Sequence, residues 1–295
     1  MTGNNTQANN RNLSPIIVIA ICTLALLAII GGIIVATGFR YIKTDSVKFR
    51  GYIKNGIAVS GELKYPDGVS GKIDYSEEDK LTTIKYSDGS EYTGSMSGVV
   101  RNGTGTYKNS NGDVYSGEFK NDVFSGYGVL TKSSGKYTGE FLNGVPSGVG
   151  EYVYSDGSWY YGQFTEGKKD GYGEYHTSDG SAYYGTFSND LRHGSNEITA
   201  YLKGGKIYKG QCKQVYSNGD IYVGSFKSGI REGNGTYTFA GGDSYTGSFI
   251  NGVFEGTGTY KTAAGLIHTG SFKNGSPVGS LPLPVQNTVG EANGR

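Results

Sequence analysis

Residues 137–159 read YTGEFLNGVPSGVGEYVYSDGSW, residues 160–182 read YYGQFTEGKKDGYGEYHTSDGSA, and YYG opens again at Tyr183. The copies share Tyr-x-Gly-x-Phe, then Gly-x-Gly-x-Tyr seven residues past the Phe, then Asp-Gly. In the first copy these are Tyr137, Gly139, Phe141, Gly148, Gly150, Tyr152, Asp156 and Gly157. A repeat of 20–50 residues signals stacked supersecondary elements and has to be settled before any fold assignment.

Residues two apart in a strand face the same way. Tyr-x-Gly-x-Phe therefore puts aromatic, gap, aromatic on one face and polar side chains on the other, and Gly-x-Gly-x-Tyr does the same in a returning strand. Each strand glycine costs roughly 0.5–1 kcal/mol relative to Ala, so its recurrence predicts that a neighbouring ring fills the space of a Cβ. Asn143-Gly144, Asp156-Gly157, Asp179-Gly180 and Asn251-Gly252 supply the positive φ of tight turns. One repeat is thus a β-hairpin that cannot bury its own aromatics, and stacking its neighbours does so. The expected fold class is an all-β repeat array, an elongated single-layer antiparallel sheet of stacked β-hairpins.

Opening aromatics fall at Tyr92, Tyr115, Tyr137, Tyr160, Tyr183, Tyr208, Tyr222, Tyr245 and His268, spaced 23, 22, 23, 23, 25, 14, 23 and 23 apart. Two weaker openings precede them, Phe49-x-Gly51-x-Ile53 and Val69-x-Gly71-x-Ile73. The frame predicts eleven repeats over 49–279, degenerate at 49–91 and near 208–221. Between Tyr208 and Tyr222 nine residues are read as missing, with a defect near Cys212.

On these residues the frame resembles the MORN (membrane occupation and recognition nexus) repeat, whose pattern is Tyr-x-Gly-x-Phe/Trp, Gly-x-Gly and Asp/Asn-Gly. The resemblance covers about 49–279 and is most specific over Tyr92–Glu197 and Tyr222–Gly279. It implies a gently curved β-sheet used as a scaffold or adaptor, often near membranes. Lipid binding has been proposed for the family but does not follow from the motif.

Composition agrees with short strands and turns. Of 295 residues 51 are Gly and 25 Tyr, with 6 Pro, against a usual Gly share of about 7%. Net charge is +1, and beyond residue 40 basic and acidic residues number 25 and 26. A surface so balanced gives no footprint for nucleic acid and disfavours direct phospholipid binding by the repeats. Two cysteines, Cys22 and Cys212, make no disulfide framework.

Residues 1–14 form a polar tail. Residues 15–39, PIIVIAICTLALLAIIGGIIVATGF, run 25 residues without a charge, enough to cross a hydrocarbon core of about 30 Å. The segment predicts one N-terminal transmembrane helix. A cleaved signal peptide has a shorter apolar region of about 7–15 residues. Residues 40–48 are the expected linker, and 280–295 a disordered C-terminal tail. Arg11 flanks one end of the apolar run; Arg40, Lys43, Lys48 and Arg50 flank the other, which places the repeats in the cytoplasm by the positive-inside rule. Ala28, Gly32 and Ala36 stand four apart, a spacing through which two such helices could pair as a homodimer.

Catalysis finds no foothold in the sequence. The histidines are His176, His193 and His268, and no Ser-His-acid set, Cys-x-x-Cys, phosphate loop or paired-His metal spacing occurs. Each Asp-Gly turn offers one carboxylate, too few oxygens for calcium. The expectation is a non-enzyme with no cofactor and no metal.

The informative positions are those where repeats disagree. Flanking the opening Tyr and between the glycines, most repeats carry Thr, Ser, Asn or Val. In the central ones these positions are Tyr127, Trp159, Tyr161, Tyr172 and Tyr184. They are the candidate partner-binding residues, because exposed aromatic clusters mark interaction surfaces; cross-strand packing alone also accommodates such residues. The sequence therefore reads as a membrane-anchored, non-catalytic scaffold for a protein partner. The alternative is a cell-surface array that binds envelope glycan or lipid head groups.

Overall fold

A computed structural model describes residues 38–195 and 197–279. The predicted membrane helix falls outside the described residues except for its last two positions, as do the polar N-terminal tail and the C-terminal tail from 280. Among the described residues no helix is long and apolar enough to cross a membrane.

The chain divides after Arg101 into two compact bodies. In the first, β1 (Phe39–Lys43), β2 (Lys48–Lys54), β3 (Ile57–Lys64), β4 (Ser70–Ser76), β5 (Leu81–Tyr86) and β6 (Glu91–Ser97) follow one another as an antiparallel meander. The segment read as a linker, 40–48, therefore carries most of β1, paired residue for residue with β2. The degenerate repeats keep their packing with aliphatic side chains, Leu63, Ile73 and Ile84, buried along with the ring of Phe49.

The second body continues from β7 (Val100–Lys108), in which the division falls. Its strands are β8 (Val114–Lys120), β9 (Val123–Lys132), β10 (Gly135–Leu142), β11 (Val145–Tyr154), β12 (Trp159–Thr165), β13 (Lys168–His176) and β14 (Ala182–Ser188). There follow β15 (Leu191–His193), β16 (Ile198–Tyr201), β17 (Ile207–Gly210) and β18 (Lys213–Val215). Last come β19 (Ile221–Lys227), β20 (Ile230–Thr238), β21 (Ser244–Ile250), β22 (Val253–Lys261), β23 (Ile267–Lys273) and β24 (Ser276–Pro277). All its pairings are antiparallel.

The repeat frame is the packing code of this body. The opening strands β8, β10, β12, β19 and β21 bulge just past their glycine, as between Gly139 and Phe141 or Gly162 and Phe164. The bulge takes one carbonyl out of the ladder, and the opening tyrosine supplies the missing donor. Tyr137 Oη donates to the Glu140 carbonyl at 2.9 Å, and Tyr160 Oη to Gln163 at 2.9 Å. To reach it the ring lies back over the glycines: a Cβ on Gly150 would sit 2.6 Å from Tyr137 Cε2. Gly148 is needed for another reason. Its φ is +67°, and the Glu140 carboxylate occupies the Cβ position at 2.6 Å.

Tyrosines and phenylalanines then zip consecutive repeats together. Tyr137 meets Phe141 of its own repeat at 5.1 Å and Phe164 of the next at 5.0 Å, both edge to face. Tyr160 does the same with Phe164 and Phe187. Such pairs add about 0.5–1.5 kcal/mol beyond burial.

The defect expected near Cys212 is not a deletion. β14 pairs through Thr186–Ser188 with β15 and through Ala182–Tyr184 with β18, so β15 and β18 are two halves of one strand position. Gly194 bridges Phe226 on the far side, and β18 pairs with β19. The residues between Gly194 and Cys212 leave the sheet and return, carrying the separate hairpin β16–β17. Tyr183 and Tyr222 are 39 residues apart, one period of 23 with 16 residues inserted. Tyr208-x-Gly210-x-Cys212 is thus a chance copy of the opening motif inside an insertion, and the frame runs to ten repeats. Cys212 stands where a regular repeat has its second glycine.

Candidate functional site

The face opposite the Tyr/Phe zipper is built from residues flanking the frame. A cross-strand row on this face follows the register through Thr106, Ser116, Val129, Thr138, Glu151, Tyr161, Glu174, Tyr184, Lys213, Val223, Thr236, Thr246, Thr259 and Thr269. Toward either end it is a ladder of hydroxyls, for example Thr236–Thr246 and Thr259–Thr269 with oxygens 3.0 Å apart. Over β11 to β14 it changes to Glu, Tyr, Glu, Tyr.

The adjacent row carries Trp159 opposite His176. The two rings stack in parallel, 4.0 Å between centroids at 9°. His176 meets Tyr184 edge to face at 5.7 Å, and Tyr184 stacks on Tyr208 of β17 at 5.8 Å. Glu174 lies among these rings with only 5% of its surface exposed, and its carboxylate is 3.4 Å from His176 Nε2. Burial first, and then the Glu174 charge, push the Tyr184 phenol above its ordinary pKa.

Part of this surface is already occupied. The inserted hairpin places Ile198 and Ala200 out of solvent. At its tip, Gly204 and Gly205 turn the chain with φ of +79° and +78°. The tip residue Lys203 donates its backbone N–H to Glu174 Oε1 at 2.5 Å and pairs its ammonium with Glu151. That ammonium lies 4.8 Å from the centroid of the Trp159 ring, a cation–π arrangement.

The structure brings three of the five candidate residues together, Trp159, Tyr161 and Tyr184, on neighbouring strands around Glu174. Tyr172 stands two residues from Glu174 on the same face of β13 and is 41% exposed. Tyr127 is apart from the cluster, on β9 opposite Glu140, and is 59% exposed. Sequence reasoning missed Glu151, Glu174, His176, Lys203 and Tyr208. Register from the 23-residue frame would have put His176 beside Trp159; the long-range Lys203 contact left no local signal.

The MORN repeat family model matches residues 92–114, 115–136, 137–159, 160–182, 183–195, 222–244 and 245–266, together half of the chain. The chain belongs to the MORN repeat family. The truncated match at 183–195 and the resumption at 222 bracket the insertion, so this MORN array has a regular repeat opened by a loop. No curated protein matches the chain. Among solved structures it is similar to the TCP10 domain of Danio rerio CPAP, at 11% identity over 79% of this chain and all of that one, with a TM-score of 0.30. It is also similar to the SAS-4 (dCPAP) TCP domain of Drosophila melanogaster, solved in complex with a proline-rich motif of Ana2. There the identity is 13%, over 80% of this chain and 90% of that one, with a TM-score of 0.21. Scores at this level carry no argument about the MORN array described above.

Proposed function

We propose that this chain is a membrane-anchored, non-catalytic scaffold that binds a protein partner through the face carrying Trp159, Tyr161 and Tyr184, with the repeats on the cytoplasmic side. The observation that carries the reading is the change in one cross-strand row from Thr and Val to Glu151, Tyr161, Glu174 and Tyr184. A sheet that needs only a hydrated face is served by threonine; aromatics and buried acid there fit an interface. The frame residues are used up in packing, which supports a binding role over a catalytic one. The uncharged run at 15–39 supports the anchor.

The test has two arms. Membrane fractionation of the full chain and of a chain begun at residue 38 reads the anchor: the first should sediment with membranes and the second should not. Affinity capture by the full chain, against one carrying Trp159→Ala and Tyr184→Ser, reads the surface. Retention of the same partner by the double variant, with its fold intact, would remove this face from the proposal.

A further inference from the structure

The inserted hairpin sits on the array as a bound peptide sits on a receptor, and its chemistry describes the partner. Site and occupant are separable parts. Glu151, Trp159 and Glu174 occupy regular repeat positions of β11, β12 and β13, fixed by the ladder. Lys203 comes from a 16-residue insertion that the ladder does without, because Gly194, Cys212 and Lys213 resume the interrupted strand.

The array side surrounds a cation on a turn. The indole face of Trp159 takes the ammonium at 4.8 Å, and Glu151 neutralises it from the side. Glu174, nineteen-twentieths buried, accepts the backbone N–H of the same residue. A carboxylate that grips the main chain, beside one that grips the side chain, fixes both position and identity of the lysine. In the same row, Val129, Thr138, Val223, Thr236, Thr246 and Thr259 carry no charge, so acids appear only where the hairpin lands. The hairpin is correspondingly basic, with Lys203, Lys206 and Lys209 against Glu197.

We infer that Glu151, Trp159 and Glu174 form a recognition site for a lysine presented on a turn of a protein partner, and that Lys203 fills this site from within the chain until such a partner displaces it. The inference rests on the partner-binding reading above and deepens it by naming the residues and the partner's chemistry. A self-filled site lowers the apparent affinity for an outside ligand by the fraction of time it stands open.

Trp159 is the only tryptophan in the chain, so its emission reports the site directly. The probe is a synthetic peptide of residues 197–210, EITAYLKGGKIYKG. It is titrated into the intact full chain and into a full chain with 196–211 excised and Cys212→Gly. The expected result is saturable change of Trp159 emission in the excised chain, at least tenfold weaker binding with a Lys203→Ala peptide, and weak or no binding to the intact chain. Should excision cost the fold, the intact chain carrying Lys203→Glu opens the site by like-charge repulsion, and the peptide should bind it better than it binds the wild type. Equal binding of the Lys and Ala peptides, or no binding to either opened chain, would overturn the inference. So would acidic vesicles that changed the emission where the peptide did not. Any of these results beside partner capture that the wild-type chain shows and the folded double variant loses would end this site and leave the scaffold reading standing.

Discussion

Tyr183 and Phe226 meet edge to face at 5.2 Å, although 43 residues separate them along the chain. The equivalent pair Tyr160 and Phe187 meets at 5.0 Å across 27 residues. The difference is the 16-residue insertion, which the zipper spans without a change of geometry. Turn contacts repeat the finding: Gly167 donates to the Pro146 carbonyl at 2.9 Å, and Gly229 to Arg192 at 2.8 Å. Loop length costs entropy only logarithmically. Excising 196–211 with Cys212→Gly should therefore leave cooperative thermal unfolding, with stability changed by no more than about 2 kcal/mol. Loss of the cooperative transition in circular dichroism would contradict an intact ladder beneath the insertion.

The tyrosine hydroxyls have a defined task at each bulge. Tyr160→Phe keeps the ring against Phe164 and Phe187 but removes the donor to the Gln163 carbonyl. The expected loss is about 1–2 kcal/mol, the cost of a buried acceptor left bare, measured by denaturant unfolding. Gly150→Ala presses a methyl into the Tyr137 ring, and overpacking of this kind costs about 1–3 kcal/mol. A neutral result for both would show that the frame is not held by ring-over-glycine packing.

His268 takes the place of the opening tyrosine in the last repeat. Its Nε2 is buried and makes no hydrogen bond, the only side-chain nitrogen or oxygen in that condition among the described residues. The ring meets Phe272 at 5.8 Å, looser than the 5.1 Å of Tyr137 and Phe141. Its replacement, His268→Tyr, would carry a hydroxyl toward the Ser271 carbonyl in the manner of Tyr245 and Ser248. Stability should rise by about 1 kcal/mol, seen as a higher unfolding midpoint; a lower midpoint would mean that the end of the array does not follow the frame.

Alkali should dismantle the array through the same rings. Burial pushes the Tyr115 phenol up to about 12, and those of Tyr137, Tyr160, Tyr183 and Tyr222 are also raised, with burial the first cause in each. Between the ordinary value of 10 and these raised ones, the unfolded chain loses protons that the folded chain keeps. The unfolded state then binds fewer protons, so stability falls as pH rises. Below pH 10 the contribution is intact. Above it each such phenol removes at most about 1.4 kcal/mol per pH unit, until its own raised value is reached. Phenolate absorbance and the loss of sheet signal should rise together in one steep step above pH 10; gradual ionisation with the sheet intact would contradict the burial of these rings.

The hairpin frame was legible because its causes lie within a few residues of one another. A positive φ, a bulge and the tyrosine that closes it belong to one repeat, so glycine and aromatic spacing report them. Trp159, Tyr161 and Tyr184 were legible as departures from threonine in otherwise equivalent copies. The insertion was misread because Tyr208, Gly210 and Cys212 alternate as any short strand does, and alternation alone cannot tell a repeat from a loop that contains a hairpin. Only the 39-residue distance from Tyr183 to Tyr222 discloses it. Lys203 was invisible for a related reason: its partner Glu151 is 52 residues away, and the contact depends on where the excursion lands.

The insertion lies across the face that carries Trp159 while the ladder continues beneath it. Acrylamide quenching of Trp159 emission tests this most directly, in the full chain and in the chain with 196–211 excised and Cys212→Gly. The quenching constant should rise at least about twofold on excision, with the sheet signal unchanged. Equal quenching in the two folded chains would show that the hairpin does not cover the site.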